Sequence, residues 1–213
     1  MAEEDVPYVV TEHLAHFGEG FFARLGPRFL AAYTVRHLDS PYARCLVAER
    51  DGERAGFLIG LTDPAGHRRH LVQRHGRALA LRGTAALLVR PALAVHFTRT
   101  RAVRYAGEFL TRHRPAAGES RAAARPQPGR RVAVLAYLVV SGTARSQGLG
   151  TALVERFLRE AAEAGCDRAD LVTAAGAGGA GRFYRRLGWR FTGNVGTTDG
   201  RNLSMYSHPL SGN

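Results

Sequence analysis

Apolar residues follow two rhythms along this chain. Val132 to Val140 is an unbroken apolar run of strand length, the mark of a strand covered on both faces. Behind it, Thr151 to Leu158 alternates in the manner of an amphipathic helix, giving a helix over 148–164 that Gly165 ends. Phe29, Leu30, Tyr33 and Leu38 recur at helical spacing between Gly26-Pro27, which suits a helix start, and Ser40-Pro41, which stops it. Arg44 to Glu49 and Ala55 to Leu61 read as short strands, and the Asp51-Gly52 pair between them signals a hairpin. The run from Tyr8 to Leu14 suggests a first strand, and Gly18 to Phe22 a turn with a short helix. Asp63-Pro64 is an N-cap followed by proline, and opens a helical stretch to about Val89. Pro91 interrupts it, a second helix runs to about Arg112, and Arg114 to Gly129 reads as a loop. Ala169 to Ala174, Arg190 to Thr192 and Asn202 to Tyr206 are expected strands, with a short helix over Phe183 to Leu187. The order predicts a mixed α/β (α+β) sheet flanked by helices, without internal repeats.

Composition narrows this picture. A chain of 213 residues with 45% hydrophobic content fits one domain, 1–213, with 64–130 as a helical insertion and loop. Two cysteines, Cys45 and Cys166, lie far apart and suit a reducing compartment. The acidic start Met1-Ala2-Glu3-Glu4-Asp5 is unlike a secretory leader, and no run reaches membrane-spanning length, so the expected location is cytoplasmic. All 30 basic residues are arginine, which removes any mechanism that requires a lysine.

Charge is concentrated in one segment. Residues 64–131 hold 15 arginines and two acids, Glu108 and Glu119, and so carry essentially the whole net charge of +12. Three readings stay open. The segment can be a solvated helical pair packed on the sheet or on a second subunit, which makes a homodimer one expected partner. It can be a lid drawing in an anionic substrate. It can be a basic surface for nucleic acid or membrane, which is less favoured because aromatic residues are sparse (Phe97, Tyr105, Phe109).

The densest chemistry lies at the exit of the apolar run. Arg145-Ser146-Gln147-Gly148-Leu149-Gly150 joins that strand to the amphipathic helix. The first N–H groups of a helix lack internal partners and carry partial positive charge, so such a turn suits phosphate. Glycines let the backbone approach a ligand, and Arg145 adds a permanent cation. This Arg-x-x-Gly-x-Gly pattern resembles the acyl-CoA diphosphate loop of the GNAT superfamily of N-acetyltransferases. Arg182-Phe183-Tyr184-Arg185-Arg186-Leu187-Gly188-Trp189 is similar to that family's downstream Phe-Tyr-x-x-x-Gly-aromatic signature. The likeness is good from Val132 onward and loose over the first 62 residues. The long segment between the third and fourth expected strands, where the family has a short connection, is a departure.

The resemblance implies a GNAT fold, acetyl-CoA as co-substrate and no metal. It implies that amides from Gln147 to Thr151, with Ser146, Gly148, Leu149 and Gly150 in the turn, hold the phosphates and that Arg145 assists. Leu138, Val139 and Val140 match the part of the strand whose backbone meets the pantetheine and the thioester carbonyl, where a donor can stabilise an oxyanion. Tyr184 matches the tyrosine that protonates the departing thiolate; a phenol is protonated at neutral pH. The base is harder to find, because the apolar run contains no acid. Glu12, Glu19, His13 and His16 lie near the expected acceptor pocket, and Glu19, between two glycines, is the leading candidate. Ala177 stands where the family often has an asparagine, which weakens one coenzyme contact.

Two other signals carry less. Gly176 to Gly181 satisfies Gly-x-Gly-x-x-Gly, but only 32 residues follow, too few for the further units of a dinucleotide domain. His67, His70 and His75 are poorly spaced for a closed metal site and read as solvent-facing residues of a basic helix. The expected activity is transfer of an acetyl or short acyl group to the primary amine of a small molecule, with an anionic or amino-sugar acceptor suggested by the arginines. The alternative is a non-catalytic module of the same fold whose arginine-rich arm contacts nucleic acid or an anionic membrane.

Overall fold

A computed structural model describes residues 1–88, 131–176, 179–197 and 200–210. Its helices are α1 (Val6–Phe17), α2 (Phe21–Arg24), α3 (Pro27–Leu38), α4 (Pro64–Leu88), α5 (Leu149–Glu163) and α6 (Gly181–Arg186). Its strands are β1 (Ala43–Arg50), β2 (Glu53–Leu61), β3 (Val132–Val140), β4 (Arg168–Ala174), β5 (Arg190–Gly196) and β6 (Asn202–Pro209). They form one six-stranded sheet in the order β1-β2-β3-β4-β6-β5. Among the described strands only the β3–β4 pair is parallel, and α5 supplies the crossover such a pair needs. No described helix is long and apolar enough to cross a membrane.

Most sequence expectations hold, with two corrections. The expected first strand over Tyr8 to Leu14 is helix α1. Val6, Val9, Val10 and His13 are its buried positions, a spacing that makes one helical stripe. The β-branched residues in this stretch imitate a strand, but Pro7 sits in the first turn, where a helix tolerates it. Asp5 fixes the entry: it accepts a hydrogen bond from the Ala2 N–H at 2.7 Å and pairs with Arg54 of β2 at 2.6 Å. As a result, the basic segment follows the second strand of the sheet and not the third. The second correction concerns His67, which is buried and bonded to Ser40 Oγ at 2.8 Å instead of facing solvent. The start of α4 is as expected, with Asp63 Oδ1 accepting from the Gly66 N–H at 2.8 Å. The expected second helix and loop after Pro91 lie outside the described residues.

The core divides by sheet face. Along β2, Leu58 joins one buried cluster while Phe57 and Ile59 join another, as alternation requires. The first face carries Ala133 and Leu135 of β3 and Ala169 and Leu171 of β4. Leu153, Val154, Phe157 and Ala161 of α5 cover it, and Tyr184, Trp189 and Tyr206 extend it. The second face carries Phe57, Ile59 and Val139, with Val9 of α1 packed on them. Burying a side chain the size of Phe157 is worth roughly 2–3 kcal/mol, so α5 is held by its stripe.

Candidate functional site

The central strand changes character halfway along. Tyr137 pairs with Ile59 and Leu135 with Gly60, which leaves Ala136 as an extra residue opposite β2. This bulge resets the alternation: Leu135 and Leu138 pack in one cluster, whereas Tyr137 and Val139 belong to the other. The β3–β4 ladder ends at the same place. Its last pair is Leu135 with Leu171, although β3 continues to Val140 and β4 to Ala174. Beyond that point β4 stays paired with β6, from Val172 with Met205 to Ala174 with Leu203, and β3 stays paired with β2 up to Val140 with Gly56. Two parallel strands therefore diverge, and Leu138, Val139 and Val140 lie on the diverging part of β3. Backbone groups there have no ladder partner in β4, and apart from the Val140 carbonyl, which accepts from Arg145, they can face a ligand.

The glycine turn closes the wide end of this wedge. Ser141 leads into a short 3-10 turn, Gly142–Ala144, with the Ala144 N–H donating to the Ser141 carbonyl at 2.9 Å. Ser146 has φ 63° and Gly148 has φ 81°. Left-handed residues set between extended or helical ones turn successive N–H groups toward one side, a concavity that suits an anion. Such a conformation in a non-glycine residue costs about 1 kcal/mol or more, and strain of this kind concentrates at ligand sites. The first intrahelical bond runs from the Ala152 N–H to the Gly148 carbonyl at 2.9 Å, so the amides of Leu149, Gly150 and Thr151 stand ahead of the ladder. Arg145 lies beside them. It donates through Nε to the Val140 carbonyl at 3.2 Å and through Nη2 to His16 Nε2 at 3.1 Å. These features fit a diphosphate: free amides, a helix N-terminus, an adjacent guanidinium and a glycine where a side chain would intrude.

Tyr184 sits on α6 with its ring 5.1 Å from Phe183, 5.7 Å from Trp189 and 6.3 Å from Tyr206. It is buried, and burial pushes its phenol well above the ordinary tyrosine range, so the hydroxyl keeps its proton at neutral pH. Phe183 of the same helix lies against Gly150, which brings the two sequence motifs together. Glu19 is exposed in the turn between α1 and α2, and no described contact ties it to the wedge. Ala177 lies outside the described residues.

Residues 115–189 match the model of the acetyltransferase (GNAT) family. That segment, which reaches from ahead of β3 to Trp189, is similar to the GNAT family. Solved structures agree at the level of fold. Ard1 from Thermoplasma volcanium superposes with a TM-score of 0.57 at 14% identity, covering 99% of this chain and 95% of that one. An N-acetyltransferase from Staphylococcus aureus Mu50 gives 0.57 at 11% identity, with 99% and 96% covered. An aminoglycoside 6'-acetyltransferase type Ii gives 0.55 at 14% identity, with 99% and 95% covered. No curated protein matches the sequence. The diverging strands and the amide turn fall inside the matched segment.

Sequence reasoning missed the contribution of α1. Tyr8 Oη lies 3.0 Å from Ser141 Oγ, and His16 meets Arg145, so the N-terminal helix touches the turn at both ends. His13 is buried against Tyr137, with ring centroids 4.5 Å apart. The signal was the stripe Val6, Val9, Val10, His13, which a strand reading hides.

Proposed function

We propose that this chain is an acyl-CoA-dependent N-acyltransferase that moves an acetyl or short acyl group to the primary amine of a small molecule, by direct attack in a ternary complex. The parting of β3 from β4 beside a helix start, where the amides of Leu149, Gly150 and Thr151 precede the helical ladder, carries this reading. Acyl-CoA supplies the activated thioester, and this chain's residues do the rest. Amides from Gln147 to Thr151, with Arg145, hold the diphosphate by charge-assisted hydrogen bonds. The open backbone of Leu138, Val139 and Val140 takes the pantetheine as an added strand and directs a donor at the thioester oxygen, where negative charge develops. Tyr184, kept protonated by burial, gives its proton to the sulfur as the carbon–sulfur bond breaks. Glu19 takes the amine's proton through water, since its carboxylate stands exposed in a turn.

The acceptor follows from charge. Arg69, Arg74 and Arg77 are exposed along α4, and this helix belongs to the arginine-rich segment. Such a surface attracts an anionic amine, for example a nucleotide-linked amino sugar or a phosphorylated amine. The test is to mix the protein with acetyl-CoA and a panel of neutral and anionic amines and follow free thiol. Thiol release that depends on an amine supports the reading. Absence of release with every amine, together with no thermal shift by CoA and a clear shift by polyanions, overturns it in favour of a binding module.

A further inference from the structure

The N-terminal helix reaches the turn through a residue that the proposed chemistry does not use. Arg145 is held at two points, the Val140 carbonyl and His16 Nε2. A guanidinium has only donors, so Nε2 of His16 accepts and carries no proton. Nδ1 of His16 lies 3.0 Å from the Glu12 carbonyl and therefore donates to it, which fixes the ring. The Glu12 carboxylate lies 3.7 Å from the same nitrogen. Tyr8 and Ser141, 3.0 Å apart, clamp the other end of α1 to the residue that follows β3. With Nε and one N–H of Nη2 engaged, the Nη1 amino group and the second N–H of Nη2 are the donors that can face a phosphate.

We infer that His16 is a positioning residue for acyl-CoA: it holds the Arg145 guanidinium in the orientation that meets the diphosphate. An exposed arginine otherwise samples many rotamers and loses that freedom on binding. A neutral imidazole anchored to its own helix removes part of that loss in advance, without placing an acid where it would compete with the phosphates. The inference rests on the acyltransferase reading and deepens it.

The test is a double-mutant cycle on CoA binding and on steady-state kinetics, using wild type, His16→Ala, Arg145→Ala and the double variant. His16→Ala should raise the CoA dissociation constant and the acyl-CoA KM by roughly fivefold, the scale of one ordinary hydrogen bond, because the histidine acts through the arginine's orientation and does not touch the phosphate. The kcat at saturating acyl-CoA should stay within about twofold. The double variant should bind no more weakly than Arg145→Ala, because the histidine acts only through the arginine. His16→Gln, which keeps a neutral acceptor, should restore binding to within about twofold. Additive losses in the double variant, or His16→Ala and His16→Gln both binding as wild type, overturn the inference. If His16→Ala alone is unstable, the comparison of His16→Gln with His16→Leu decides, with rescue by glutamine only as the supporting result. Wild-type protein that does not bind CoA sinks the acyltransferase reading itself, a failure distinct from a cycle that shows no coupling.

Discussion

Phe183 packs so closely on Gly150 that a β-carbon there would lie 3.3 Å from Phe183 Cζ and 3.4 Å from Val140 Cγ2. The downstream motif thus fixes the helix start that the upstream motif creates. Gly150→Ala requires the ring to retreat by a few tenths of an ångström, which shifts the amides ahead of the ladder. The expected outcome is an acyl-CoA KM raised about tenfold, close to 1.4 kcal/mol, with a melting temperature only slightly lower. Phe183→Leu in the same protein should recover part of the affinity, and steady-state kinetics on the three variants checks both statements.

Gly148 presents the opposite case. Nothing lies within 4 Å of a β-carbon placed on it, yet its φ is 81°. Any cost of Gly148→Ala is therefore conformational, about 1–2 kcal/mol of global stability. Gly148→Asn should cost less, because asparagine tolerates the left-handed region. Chemical denaturation of the three proteins measures the order.

Tyr184→Phe removes one hydroxyl from a ring that packs against Phe183, Trp189 and Tyr206. Stability should stay within about 1 kcal/mol, while kcat falls roughly 100-fold if the phenol is the acid. Unchanged kcat would remove Tyr184 from the mechanism.

Histidines set the acid limit of stability. Burial lowers His13 and His37 to about 4, His13 with His37 nearby and His37 despite the hydrogen bond to the Tyr33 carbonyl. Burial, with His37 and His70 alongside, lowers His67 to about 3. The unfolded chain takes up protons on these rings below about pH 6.5, whereas the folded chain does so only near 4 and 3. Their stabilising contribution is complete above pH 6.5 and is lost as pH falls toward 3, on the order of a few kcal/mol in all. Denaturation midpoints between pH 7.5 and 4.5 should fall, and His37→Gln should flatten the fall.

Much of this was legible before any coordinates. The apolar run over 132–140, the hairpin at Asp51-Gly52 and the helix over 149–163 all follow from local rules, and each is in place. The amide turn was legible because its residue types are demanded by backbone conformation. The wedge was not readable from these residues alone, because the end of the β3–β4 ladder depends on the bulge at Ala136, and no residue type marks it. Helix α1 was misread because Tyr8-Val9-Val10 has strand propensity, and packing on Phe57, Ile59 and Val139 overrides it. A different contact explains the error at His67: α3 lies over α4, with His37 against His67, and buries a position that polarity assigns to solvent.

Amide-resolved NMR during titration with coenzyme A tests the proposal most directly. Saturable shifts should centre on the N–H groups of Gly148, Leu149, Gly150 and Thr151, move little at the far end of β5, and disappear with a competing diphosphate. A spectrum unchanged at millimolar coenzyme A, or shifts that avoid this turn, would contradict the claim that main-chain amides at the exit of β3 hold the cofactor.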